Sequence, residues 1–269
     1  MSSKCCTLHR IAAIRETFEE TGVLLHRGPG GERGAYSWPA GPALAEWRAK
    51  VHSCPAQLLQ LCRQLGVLPD LWALAEWADW LTPTDLHEQG RRRFDTIFYQ
   101  ASLATQPATL LDQAEVTAAR WTDPASILQQ FHAEQLWLAP PQVYELGKLL
   151  RFSCARDLAA AAHARQQHGL CTWLPVRVEC EDGLVSLLPG DCLYPAHPDY
   201  GGLEPGAETE GVKTIQIKHP GTVQSTRPDS SAPLNRLEFR GMFDCVPRAN
   251  YVSQHQHIKP MAFSDFQVK

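Results

Sequence analysis

Three glutamates, Glu16, Glu19 and Glu20, lie within the stretch Arg-Glu-Thr-Phe-Glu-Glu-Thr-Gly-Val that runs from Arg15 to Val23. Their i, i+3 and i+4 spacing puts all three carboxylates on one face of a helix. Like charges so placed destabilise a helix by about 0.2–0.5 kcal/mol per pair, so the cluster asks for a cationic partner. Hard oxygen donors with few others nearby suit Mg²⁺ or Mn²⁺ better than a metal that seeks thiolate or imidazole. A solvated acidic face has the same spacing, and spacing alone does not separate the two. Arg15 can pair with the carboxylates from the preceding position, and Gly22 can end the helix in the left-handed conformation.

The elements that must position this face follow from periodicity. Leu8, Ile11, Ala12, Ile14 and Phe18 form an apolar stripe at helical spacing, which predicts a helix over about 8–21 with the glutamates turned away from the core. Residues 26–42 are rich in Gly and Pro and read as a mobile loop. Leu44, Trp47, Val51, Leu58, Leu59, Leu61, Cys62 and Leu65 predict two short helices broken at Pro55, an inserted helical subdomain over about 43–66. Leu71–Leu81, with Trp72, Leu74, Trp77 and Trp80, fits neither period cleanly and is read as a strand.

Arg91, Arg92 and Arg93 enter a stretch of β-branched and aromatic residues ending at Tyr99, a strand behind a basic turn. A second strand is expected over Val116–Trp121, after an acidic loop holding Asp112 and Glu115. Asp123-Pro124 and Pro140-Pro141 each open a helix, and an Ala-rich helix should run from about Ser153 to His168. Strands are expected at Trp173–Glu179 and Leu184–Leu188, joined by the turn Glu181-Asp182-Gly183, then at Val212–Lys218 and Arg236–Phe243. No internal repeat and no sharp domain break is visible.

Composition sets the bounds. The chain has 269 residues, ample for a buried core, and its 25 basic and 29 acidic residues leave a formal charge of -4. That balance gives no general affinity for nucleic-acid phosphates or anionic membranes. Nine cysteines without CxxC spacing support neither a zinc site nor a disulfide framework and suggest a reducing compartment. No apolar run approaches the roughly 18 residues of a membrane span. His255 and His257 make the one HxH pair, read as an accident of the tail.

The stretch Arg15–Val23 resembles the second half of the Nudix box, Gly-x5-Glu-x7-Arg-Glu-U-x-Glu-Glu-x-Gly-U, where U is a bulky aliphatic. Arg15, Glu16, Glu19, Glu20, Gly22 and Val23 match, Thr17 replaces the usual aliphatic, and Thr7 and Met1 stand in the Glu and Gly slots of the first half. Further matches place the resemblance in the peroxisomal acyl-coenzyme A diphosphatase branch of the superfamily. They are Ile14–Leu25, Trp72-Ala73-Leu74 with Trp80–Pro83, Arg92–Phe98, Ala114-Glu115-Val116 with Trp121, Trp137–Gln142 with Tyr144, and Leu187–Tyr194.

The resemblance implies an α+β fold, a Nudix-like α/β/α sandwich on a mixed sheet over 1–195. The first strand and the Phe-Pro-Gly-Gly turn are absent, and 196–269 form a divergent extension of short strands packing on it. It implies Mg²⁺- or Mn²⁺-dependent hydrolysis of the diphosphate in coenzyme A and acyl-CoA, with no nucleic-acid or membrane partner. The location implied is peroxisomal, although the chain ends Gln267-Val268-Lys269 without the family's targeting tripeptide; otherwise it is cytoplasmic. Glu16, Glu19 and Glu20 would hold the metal, with Arg15 orienting a carboxylate rather than touching substrate. Glu115 or Glu20 would serve as general base. Arg91, Arg92 and Arg93 would meet phosphate, although a basic run at a strand entrance is often simply solvated. Trp72, Trp77 and Trp80 could stack an adenine or line an acyl channel, or form core. The alternative is a non-catalytic family fragment acting as a binding or regulatory partner.

Overall fold

A computed structural model describes residues 3–38, 41–83, 93–113, 116, 118–198, 200, 217–228, 231–251 and 255–267. The chain divides into two compact units, the first made of Met1–Ala75 with Tyr99–Trp121, the second of Glu76–Phe98 with Thr122–Lys269. The expected α+β class is found, with helices and mixed sheets.

In the first unit, α1 (Ser3–Thr21) begins earlier than periodicity predicted and ends where it predicted. Ile14 and Phe18 are fully buried with Ile11 packed beside them, so the helix has one apolar face and leaves the other for its glutamates. Truncating a side chain buried as Phe18 is costs about 3–5 kcal/mol. Gly22, at φ 70°, stops the helix in the left-handed region, its N–H donating to the Phe18 carbonyl at 2.9 Å.

The Gly- and Pro-rich stretch expected to be a loop is a β-hairpin. β1 (Val23–Arg27) pairs antiparallel with β2 (Arg33–Ser37) in register Val23 to Ser37 and Arg27 to Arg33. The glycines make the turn, with Gly31 at φ 89°. β3 (Leu68–Pro69) completes the sheet in the order β2-β1-β3. Between them lie α2 (Pro42–Ser53) and α3 (Gln57–Leu65), the two helices expected on either side of Pro55, with Leu44, Val51, Leu58 and Leu61 in the same core as Ile14 and Phe18.

The stretch expected to be one strand over Leu71–Leu81 is a 3-10 turn at Leu71–Ala73 followed by β4 (Ala75–Leu81). Trp77 and Trp80 are core, whereas Trp72 is 62% exposed. β5 (Asp95–Gln100) follows the basic run. The strand expected over Val116–Trp121 is not there: its described residues are irregular and Trp121 is exposed. Apolar residues alone do not make a strand without a neighbour to pair with.

In the second unit, α4 (Pro124–His132), α5 (Pro140–Leu149) and α6 (Ala155–Arg165) lie where the Pro and Ala signals put them. Asp123 caps α4, accepting from the Ser126 N–H at 2.9 Å. β6 (Thr172–Trp173) pairs parallel with β4. The hairpin β7 (Val176–Cys180) and β8 (Gly183–Leu187) sits in a mixed five-stranded sheet of order β11-β10-β8-β7-β9. Its other strands are β9 (Ile217–Lys218), β10 (Asn235–Phe239) and β11 (Cys245–Ala249). The single strand expected to Phe243 is therefore shorter, and β11 is additional; most of the strand expected at 212–218 lies outside the described residues. A short α7 (Phe263–Gln267) ends the described chain.

His257 is buried, its ring edge-on to Trp173 at 5.1 Å, and His255 Nδ1 lies 2.8 Å from the His168 carbonyl. The HxH pair thus belongs to this unit's packing and is no accident of the tail. Cys54, Cys62, Cys154, Cys171, Cys180, Cys192 and Cys245 are free thiols. Among the described residues no helix is long and apolar enough to cross a membrane.

Candidate functional site

Glu19 and Glu20, on the free face of α1, line an open cavity of about 410 Å³ together with Ala45, Arg48, Ala49 and His52 of α2 and Asp112. Two helices and one returning loop build it. The α2 residues stand at i, i+3, i+4 and i+7, one face of that helix, while Leu44 and Val51 on another face enter the core. The loop is tied to the end of α1: the Leu110 N–H donates to the Thr21 carbonyl at 2.8 Å and the Asp112 N–H to the Glu20 carbonyl at 3.1 Å. These are carbonyls that a helix terminus leaves without intrahelical partners, so closing the helix also delivers the Asp112 carboxylate to the cavity.

Arg15 donates to both Glu16 and Glu19. Glu19 is held on its other side by His52, whose Nδ1 lies 3.2 Å from Oε2. Glu16 is the more exposed partner, at 47% against 11% for Glu19, and of these two it is Glu19 that is fixed from two sides. Arg48 donates to the Leu110 carbonyl. Burial pulls its pKa below the usual guanidinium value and the Asp112 carboxylate partly restores it. A guanidinium partly stripped of water beside an open cavity can meet an anion more strongly than one in bulk solvent.

The NUDT19 Nudix domain family matches residues 7–149, and the NUDT19 C-terminal domain matches residues 177–247. The chain belongs to the NUDT19 family of Nudix hydrolases. The chicken (Gallus gallus) acyl-coenzyme A diphosphatase NUDT19 is 39% identical over 94% of this chain and 67% of its own length. The human protein of that name is 41% identical over 79% and 56%, and the Xenopus laevis one 39% identical over 72% and 52%. The chain thus spans about half to two thirds of the length of the curated relatives it matches. A crystal structure of a NUDIX hydrolase from Alicyclobacillus acidocaldarius is 26% identical over 55% of this chain and 63% of its own, at a TM-score of 0.43.

Glu115, Arg91 and Arg92 lie outside the described residues. Arg93 donates to the backbone carbonyls of Thr82 and Tyr200, each at 2.9 Å, so these donors hold chain rather than phosphate. Arg48, His52 and Asp112 were not singled out as site residues from the sequence. The i, i+3, i+4, i+7 spacing of Ala45, Arg48, Ala49 and His52 was the available signal, since alanines sharing a helix face with Arg48 and His52 leave room that bulkier side chains would fill.

The donor chemistry suits a hard divalent cation, because Glu19, Glu20 and Asp112 offer only carboxylate oxygens to one cavity. Among the described residues no three His, Cys, Asp or Glu side chains are grouped as a ready coordination set. Arg15 occupies oxygens of Glu16 and Glu19, and its guanidinium provides the positive charge the glutamate face requires.

Proposed function

We propose that this chain hydrolyses the diphosphate of coenzyme A and its acyl thioesters, releasing 3′,5′-ADP and (acyl-)4′-phosphopantetheine, with Mg²⁺ or Mn²⁺ as cofactor. The observation that carries this reading is the sharing of one cavity by Glu19 and Glu20 of the Nudix helix with Arg48 and Asp112. The names of the chicken, frog and human relatives supply the substrate class.

Glu16, Glu19 and Glu20 would hold the metal, which supplies Lewis-acid polarisation of phosphoryl oxygens and a lowered pKa for bound water. Arg15 orients Glu16 and Glu19 and does not touch substrate. Arg48 neutralises charge on the diphosphate, a task suited to a planar guanidinium. Glu20 or Glu115 takes the proton from the attacking water.

The test is incubation of the purified chain with coenzyme A and Mg²⁺ or Mn²⁺, reading 3′,5′-ADP, with Glu20→Gln as control. Release well above the control is expected. Product no greater than that of Glu20→Gln would sink the reading and leave a non-catalytic family member. A rise in melting temperature with added Mn²⁺, lost in Glu16→Gln/Glu19→Gln, separately tests the metal.

A further inference from the structure

At the far end of β1 from Gly22 lies a second open cavity in the first unit, about 610 Å³ in volume, lined by the hairpin turn, the end of α3 and Trp72. Arg27 and Arg63 both line it, and neither makes an ion pair among the described residues. The third arginine of this region, Arg33, is committed to the buried Asp70 at 3.4 Å. The Arg27 guanidinium lies 5.7 Å from the centroid of the Trp72 ring, a cation–π geometry. Trp72 and Leu68 are 62% and 64% exposed. The cavity thus presents an exposed aromatic face beside two guanidiniums that make no ion pair among the described residues, the groups that a planar base and a phosphate would each engage.

We propose that this cavity binds a nucleoside phosphate, with the base stacked on Trp72 and the phosphates between Arg27 and Arg63. The reading follows from the two chemistries presented together. A flat apolar ring recognises a π face whatever the base, and paired guanidiniums recognise phosphate oxygens with directional hydrogen bonds. The glycine turn keeps side-chain bulk out of the cavity mouth, and Arg27 packs beside Gly31. One group opposes binding: the Glu32 carboxylate folds over Gly28 and Gly30, where it repels an incoming anion. Glu32 therefore sets how tightly phosphate is held. The proposal goes beyond the hydrolase reading and does not depend on it.

The experiment is calorimetric titration of the intact chain with ADP, without divalent metal. ADP is expected to bind at least tenfold more tightly than adenosine or inorganic phosphate alone. Trp72→Ala and Arg63→Gln should each weaken ADP by about tenfold or more. Trp72→Phe should retain most of the affinity, Glu32→Gln should tighten it, and Glu20→Gln should leave it unchanged. Trp72 and Arg63 are exposed, so unchanged melting temperatures would show that the variants fold. Equal ADP affinity in Trp72→Ala and wild type, loss of binding in Glu20→Gln instead, inorganic phosphate binding as well as ADP, or no binding of ADP would each overturn the proposal.

Discussion

Glu19 and Asp191 are both carboxylates beside an arginine, and they are held in opposite ways. Asp191, in the second unit, receives Arg236 Nε at 2.7 Å and Nη2 at 2.6 Å, with the N–H groups of Asn235 and Leu193 each at 3.0 Å. Arg236 is fully buried, and its Nη1 donates to the Thr226 carbonyl at 3.2 Å and to the Thr226 hydroxyl at 3.0 Å. Every polar direction is filled, and no solvent-sized space adjoins the pair among the cavities described above. Glu19, in the first unit, has one arginine, one exposed histidine and an open cavity. Charge closed off by backbone and guanidinium on all sides specifies a structure; charge pinned on one side and open on the other is available to a ligand.

The same closure recurs in the second unit around Lys148. This ammonium is buried against Glu145 at 2.9 Å and lies 4.7 Å from the Trp173 ring centroid. Burial pulls its pKa down, with Glu145 opposing. Trp80 Nε1 donates to Glu145 at 2.8 Å, so the pair is held inside aromatic core. Glu238 is likewise gripped, by Arg227 and at 3.7 Å by Arg248.

If this contrast is right, mutations should separate stability from activity. The largest effect is expected from Asp191→Ala, which leaves Arg236 buried without its counter-charge and should cost about 3–5 kcal/mol in urea unfolding. A loss near 1 kcal/mol would show the pair to be dispensable. Asp191→Asn, which keeps part of the hydrogen bonding, should fall between the two.

Next comes His257, whose pKa is pushed from 6.5 to about 4, first by burial and then by Lys148, Arg165 and Lys259. Between those values the unfolded chain binds a proton that the folded chain does not, so stability rises with pH. This contribution is fully present above pH 6.5 and is lost as pH falls toward 4, with a total on the order of 3 kcal/mol. Unfolding midpoints measured across that window should slope accordingly, and His257→Gln should flatten the slope.

Glu20→Gln inverts the pattern. It should lower coenzyme A hydrolysis by about a hundredfold or more while shifting unfolding by no more than about 0.5 kcal/mol. A parallel loss of stability would place the α1 carboxylates with Asp191 as structural charge. The smallest effect is expected from Asp123→Ala, which removes the cap of α4 and should lower the urea midpoint slightly with activity unchanged.

Helices α1 to α5 were legible because they are punctuated: Gly22 and Gly66 close α1 and α3, and Pro42, Pro124 and Pro140 open α2, α4 and α5; α6 was read from its alanines, and α7 had no such signal. Strands were legible only where an apolar pattern met a turn signal, as at Asp182-Gly183. β2 was hidden because Arg33–Ser37 lacks the β-branched run that marks a strand; pairing with β1 makes it one. β11 was hidden by Pro247, which pairs opposite Leu237 and is tolerated because β11 is the sheet's edge. The glutamates of the candidate site were legible from one helix. Their cavity partners Arg48 and Asp112 were not, because what brings them together is the packing of α2 and the return of a distant loop.

That return has a consequence in time. The carbonyls of Glu20 and Thr21 wait for N–H groups at Asp112 and Leu110, roughly ninety residues later in the chain. At about 5–20 residues per second of synthesis, the last turn of the glutamate helix spends on the order of 5–20 seconds outside the ribosome before its cap exists. Through that interval its carbonyls depend on water, and the intervening chain, including the start of the second unit, is already emerging. Slow translation between those points would prolong the exposure of a helix whose own charges work against it.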